Sequence, residues 1–223
     1  MKYFSGRSRF LILLSWITFV GVFPASAQST SWRCVKYADG IRVYSRKSDS
    51  ANYRIIKVTT LLKTSLSSLV MLVTDFPNNK NWVYLNKKTE ILEKKNPYSW
   101  ILYNQTDVPW PITDRDIISK TVLSQDSVTK IVTLRGEAIP KYRPKNPNYV
   151  RIPFARSQWR FVPLKDSMVD VAFTLELDVG GNIPQWLANM TATKGPYQTM
   201  RRFREEIHRK KYFDAHLSFI KEP

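Results

Sequence analysis

Met168-Val169-Asp170-Val171-Ala172-Phe173-Thr174-Leu175-Glu176-Leu177-Asp178, followed by Gly180-Gly181, is the stretch that decides the fold. Val169, Val171, Phe173, Leu175 and Leu177 fall on one parity, and Asp170, Thr174, Glu176 and Asp178 fall on the other. Successive strand residues point to opposite faces, so this is a strand with one wet face and one apolar face. The apolar face needs a cover, and the segment after Pro184 supplies one. Leu187, Met190, Tyr197, Met200, Phe203 and Ile207 form a helical stripe in a pattern running to about residue 213, with Arg201, Arg202, Arg204, Glu205, Glu206, Arg209 and Lys210 on the remaining surface. Gly195-Pro196 inside this run predicts a kink or break near Lys194.

Upstream, short strand-like runs dominate. Residues 41–46 follow an Asp39-Gly40 turn, and 53–62 is rich in Ile, Val and Thr. Residues 65–76 change period: Leu66, Leu69, Val70 and Val73 recur at helical spacing behind Thr64 or Ser65 as cap, and Pro77 ends the pattern. A short helical turn is expected over 80–84. Further strands are expected over 87–95, 99–108, 115–125, 129–138, 158–164 and 168–178, several joined by short polar turns such as Gln125-Asp126-Ser127 and Lys165-Asp166-Ser167. The fold class is therefore α+β: a curved antiparallel sheet gripping one C-terminal helix, with space between them.

The N-terminus reads as an address. Lys2, Arg7 and Arg9 precede an uncharged, mostly apolar run over 10–23, and Pro24 leads into Ala25-Ser26-Ala27. That order is a secretory signal peptide cut after Ala27. Fourteen helical residues rise about 21 Å, short of a hydrocarbon core roughly 30 Å thick. The expected domain is 28–223, undivided by any linker, repeat or low-complexity tract, and exported to the periplasm or secreted. Loss of the three leader bases lowers the formal charge from +17 to +14. One cysteine excludes an internal disulfide framework, and with only two histidines no metal site is expected. Cys34 reads as a lone core or strand thiol.

Several segments, in order, resemble the StAR-related lipid-transfer (START) family. Gly40-Ile41-Arg42-Val43-Tyr44 with Arg46 resembles its opening strand motif, and Asp75 followed by Trp82 its helix exit. Pro109, Pro111 and Arg115-Asp116 resemble a "P-x-P-x-x-x-R-D" segment. Val150-Arg151, then Trp159, Phe161 and Pro163, then Asp178, Gly180-Gly181, Ile183-Pro184 and Trp186-Leu187 complete the order. The resemblance implies a helix-grip fold, one lipid held in a tunnel between sheet and helix, no cofactor, and no turnover in most members.

Strand parity nominates the lining: Ile56, Val58, Val132, Leu134, Trp159, Phe161, Val171, Phe173 and Leu175, with Met190 and Met200 from the helix. An ordinary packed core is the competing reading of each. Arg115 and Asp116 are either a polar anchor for the lipid or a structural pair at the strand entrance. Sterol-carrying members place a second basic residue further along this strand, where this sequence has Ser119-Lys120-Thr121. No acidic partner precedes Asp107 on 99–108, a departure from a sterol-type anchoring pair.

The segment 139–149, with Lys141, Arg143 and Lys145 among three prolines, corresponds to the family's mobile loop near the tunnel mouth and is a candidate for docking on anionic membranes. A solvated charged face is the alternative reading. The bases are spread along the chain without a nucleic-acid-binding module, so no nucleic-acid partner is expected. The chain is expected to be a monomer. Neither histidine lies near a plausible nucleophile, and no phosphate-cradling glycine loop, G-x-S-x-G or H-E-x-x-H motif occurs. An enzyme of the same grip shape, a cyclase or hydrolase acting on a hydrophobic small molecule, is the alternative function.

Overall fold

The computed structural model describes Met1 and residues 31–48, 54–181 and 184–223. The leader expected over 1–27 lies outside the described residues. Among these residues ten strands form one open, mainly antiparallel sheet: β1 (Arg33–Ala38), β2 (Ile41–Lys47), β3 (Arg54–Lys63), β4 (Asn86–Asn96), β5 (Ser99–Thr106), β6 (Arg115–Gln125), β7 (Val132–Ala138), β8 (Val150–Arg151), β9 (Phe154–Pro163) and β10 (Met168–Asp178). Their order across the sheet is β1-β2-β3-β10-β9-β7-β6-β5-β4, while the two-residue β8 pairs parallel with β6.

β1 was not expected from the sequence. Its six residues are mostly exposed, and a register shift between Cys34 and Lys36 breaks the alternation that would have marked it. Cys34 is an exposed strand thiol. The link to β2 is the two-residue Asp39-Gly40 turn with both φ positive, the geometry that Asp-Gly hairpins adopt. β7 begins at Val132, three residues later than expected. The Asp126 carboxylate accepts hydrogen bonds from the N–H groups of Val128 and Thr129 and from the Thr129 hydroxyl, which holds the turn open as far as Lys130.

Helix α1 (Leu66–Thr74) is capped by Ser65, whose hydroxyl accepts from Ser68 N at 3.0 Å. Its first two amides also donate to the Glu222 carboxylate at 2.9 and 2.8 Å, so the C-terminal segment supplies an anion where the helix dipole favours one. A 3-10 turn over Phe76–Asn78 leads into the single-turn α2 (Asn79–Trp82). The predicted C-terminal helix is segmented. α3 (Gln185–Asn189) passes through a π turn, Met190–Lys194, into α4 (Gly195–Glu206), and a separate turn α5 (Lys210–Phe213) follows. The break falls where Pro196 lacks an N–H to donate, as expected. The second interruption, at Arg209, was not expected: that residue is extended rather than helical.

The inner face of the sheet is a stack of cross-strand rungs beneath these helices. One rung runs Val132, Phe161, Val171, Thr60, and the next runs Leu134, Trp159, Phe173, Val58. A third runs Thr121, Gly136, Ser157, Leu175, Ile56. The first is solidly packed; the third is where the interior opens.

Candidate functional site

A cavity of about 330 Å³ lies between the inner face of the sheet and the α3–α4 segment. Its sheet side includes Leu102 and Asn104 of β5, Ser119 and Thr121 of β6, Gly136 of β7 and Ser157 of β9. Leu134, Trp159, Phe173, Leu175 and Leu177 supply the apolar part of that side. Met190, Thr191, Gly195, Pro196 and Thr199 form the helical side, and Val73, Phe76, Asn79 and Trp82 close the α1–α2 side. Small residues make the room. A Cβ on Gly136 would stand 2.6 Å from the Ser157 hydroxyl, so a side chain there would displace that hydroxyl and take up part of this space.

Of the lining predicted by parity, Leu134, Trp159, Phe173, Leu175 and Met190 border this cavity. Ile56, Val58, Val132, Phe161, Val171 and Met200 are buried in the core cluster and do not border it. Parity places the strand residues of both groups on the same face. Val132, Phe161 and Val171 sit on the rung farther from the cavity, while Ile56 and Val58 sit on β3, against which α4 packs. An aromatic partition divides the two zones. Trp159 stacks on Phe203 with centroids 4.9 Å apart, and Trp82 meets both rings edge-on at 5.8 and 5.3 Å.

Arg115 and Asp116 are both buried, and neither borders the cavity. Asp116 lies on the opposite parity from Ile117, Ser119 and Thr121. It forms a two-pronged ion pair with Arg151 of β8, with Nε–Oδ1 at 2.7 Å and Nη2–Oδ2 at 2.9 Å. Hydrogen bonding to Asp116 raises the Arg151 pKa further. Arg151 also donates to the carbonyl oxygens of Pro140 at 2.9 Å, Arg143 at 3.3 Å and Pro144 at 3.4 Å. This pairing is structural: it fixes the 139–149 loop to β6. No partner for Asp116 was legible in the sequence, because a parallel two-residue strand leaves no periodic signal. Arg115 donates through Nη1 to the Thr113 carbonyl, its Nε has no partner among the described residues, and burial lowers its pKa.

Lys141, Arg143 and Lys145 are exposed on a loop whose flanks, Ala138 and Ile152, border the cavity. Tyr142 from the same loop donates to Glu93 at 3.1 Å. Among the described residues no cluster of three or more His, Cys, Asp or Glu side chains could hold a metal ion, and no helix is long and apolar enough to cross a membrane.

Comparison with known proteins agrees with this architecture. No family model matches the chain. It is 25% identical over 185 residues to an uncharacterized protein of Pseudomonas aeruginosa, covering 83% of this chain and 91% of that one. Human StAR-related lipid transfer protein 5 superposes with a TM-score of 0.71 over 82% of this chain and 88% of its own, at 14% identity. The crystal structure of a STAR-related lipid transfer protein from Xanthomonas axonopodis superposes with a TM-score of 0.72 over 79% of this chain and 98% of its own, at 31% identity. With the helix-grip architecture and this likeness together, the chain belongs to the START, or StAR-related lipid-transfer, family.

Proposed function

We propose that this protein is a lipid carrier that holds one hydrophobic ligand in the cavity between sheet and C-terminal helix and moves it between membranes without chemical turnover. The observation that carries this reading is a largely apolar interior space bounded by β5–β10 on one side and α3–α4 on the other. A ligand moving from a bilayer into such a space exchanges one apolar surrounding for another. At about 0.8 kcal/mol per buried methylene, a dozen methylenes are worth roughly 10 kcal/mol in either place. Net transfer is then close to neutral, as loading and unloading require. No cofactor is needed for this work.

The same proposal places the protein outside the cytoplasm, exported behind its leader as a monomer, and meeting anionic membranes through Lys141, Arg143 and Lys145. Three exposed bases on one short loop support this, each worth about 1 kcal/mol near such a surface. Added salt should weaken binding to anionic liposomes.

The decisive test is extraction of natively purified protein followed by a vesicle transfer assay. Roughly one lipid per chain and measurable transfer are expected. Delipidated protein that moves no phospholipid, fatty acid or sterol between vesicles overturns the proposal.

A further inference from the structure

Resting on the carrier reading, we infer that the ligand is an uncharged amphiphile whose hydroxyl or amide group docks on the hydroxyl rung formed by Thr121, Ser157 and the neighbouring Ser119. Two features of the cavity carry this. The first is charge. Among the described residues that border the cavity, none is Asp, Glu, Lys, Arg or His. A carboxylate, phosphate or ammonium group brought inside would lose its water and find no counter-charge, a cost that ordinary hydrogen bonds do not offset. Arg115 and Asp116, the charged anchor that the sequence offered, do not supply a counter-charge. Asp116 is committed to Arg151, and neither residue borders the space.

The second feature is which polar groups are already used. On the helical side the Thr191 hydroxyl donates to the Ala188 carbonyl at 3.0 Å, and the Thr199 hydroxyl accepts from Tyr84 N at 3.1 Å. Those groups serve the helix and its junction. On the sheet side Ser119, Thr121 and Ser157 also border the cavity, yet their hydroxyls make no hydrogen bond among the described residues. Thr121 and Ser157 flank Gly136 on adjacent strands, and a Cβ there would lie 3.6 Å from one hydroxyl oxygen and 2.6 Å from the other. The missing side chain therefore leaves two hydroxyls converging on one spot of the cavity floor. Farther along the same wall Asn104, opposite Ile117, adds an amide whose Oδ1 accepts from Thr89 at 2.7 Å, which leaves its Nδ2 to donate.

Hydroxyls both donate and accept, so this floor suits a ligand group that does the same without carrying charge. A long-chain alcohol, a sterol-type hydroxyl or a fatty amide meets that description; an ionised fatty acid does not. The cavity volume, at the lower end of the roughly 300–1,000 Å³ of small-molecule sites, suits a single chain or a compact ring system.

Displacement of diphenylhexatriene, a hydrocarbon fluorophore with no polar atom, tests the inference on delipidated protein. Hexadecanol, palmitamide and palmitate serve as matched competitors at mildly alkaline pH, where palmitate is ionised. The alcohol and amide are expected to compete at concentrations at least about tenfold below palmitate. Thr121→Val combined with Ser157→Ala should weaken hexadecanol by about fivefold or more while leaving diphenylhexatriene within about twofold. Since these hydroxyls have no partner among the described residues, the double variant should keep its melting temperature. Palmitate competing as well as hexadecanol, or an unchanged alcohol affinity in the double variant, overturns the ligand class while fluorophore binding leaves the carrier reading standing. Failure of the fluorophore and every competitor to bind overturns both.

Discussion

Along β9 and β10, Phe161 and Val171 pair with side chains fully buried, whereas four residues away on each strand Ser157 and Leu175 pair across the floor of a cavity. Both pairs point to the same face of one continuous sheet. The difference lies in side-chain volume. The packed rung carries Val132, Phe161 and Val171, and the open rung carries Thr121, Gly136 and Ser157. Alternation decides which residues face inward; size along the rung decides whether the interior is filled. Trp159 stands between the two, bordering the cavity while stacked on Phe203.

Truncation should separate the two ends most sharply. Phe161→Ala in the packed end is expected to cost about 3–5 kcal/mol, read by denaturant titration, because transfer energy is lost and the void cannot collapse. A comparably small loss would mean the packed end is looser than its complete burial implies.

Adding volume should separate them with opposite signs. Val132→Phe overpacks a fully buried site and should cost about 1–3 kcal/mol. Ser119→Phe fills space that already exists, so stability should hold or rise by up to about 2 kcal/mol while ligand binding is lost. Equal destabilisation by both would erase the distinction between the rungs.

The smallest effect concerns the closure of the packed end. Tyr212 is fully buried, donates its hydroxyl proton to Asp75 at 2.6 Å and accepts from Asn78 Nδ2 at 2.9 Å. Burial, with the Asp75 hydrogen bond second, raises its pKa above the ordinary 10.0. The unfolded chain therefore ionises first as pH rises. Tyr212 contributes stability that is complete below about pH 10 and is lost progressively above it. Tyr212→Phe should lose about 1 kcal/mol at neutral pH and decline less steeply in base, as followed by melting temperature against pH.

Most of the architecture could be read from the chain because apolar alternation on Met168–Asp178 and helical spacing after Pro184 are local signals. β1 could not, since its bulge and exposure remove the alternation. The site was readable only to the level of parity. Parity turned Val132 and Leu134 inward alike and carried no information about which rung a helix covers. The hydroxyl floor is assembled from β6, β7 and β9, with Gly136 as its one visible trace, a glycine inside a strand pattern where backbones come close. The Asp116 partner arrived on β8, from a register that no sequence period announces.

Arg151 has a consequence for how the basic loop behaves. A guanidinium that grips a carboxylate on β6 and three carbonyl oxygens between Pro140 and Pro144 turns an irregular stretch into a riveted arm. On the proposed membrane role, Lys141, Arg143 and Lys145 would meet an anionic surface as a preset constellation, with the entropy of ordering their backbone already spent during folding.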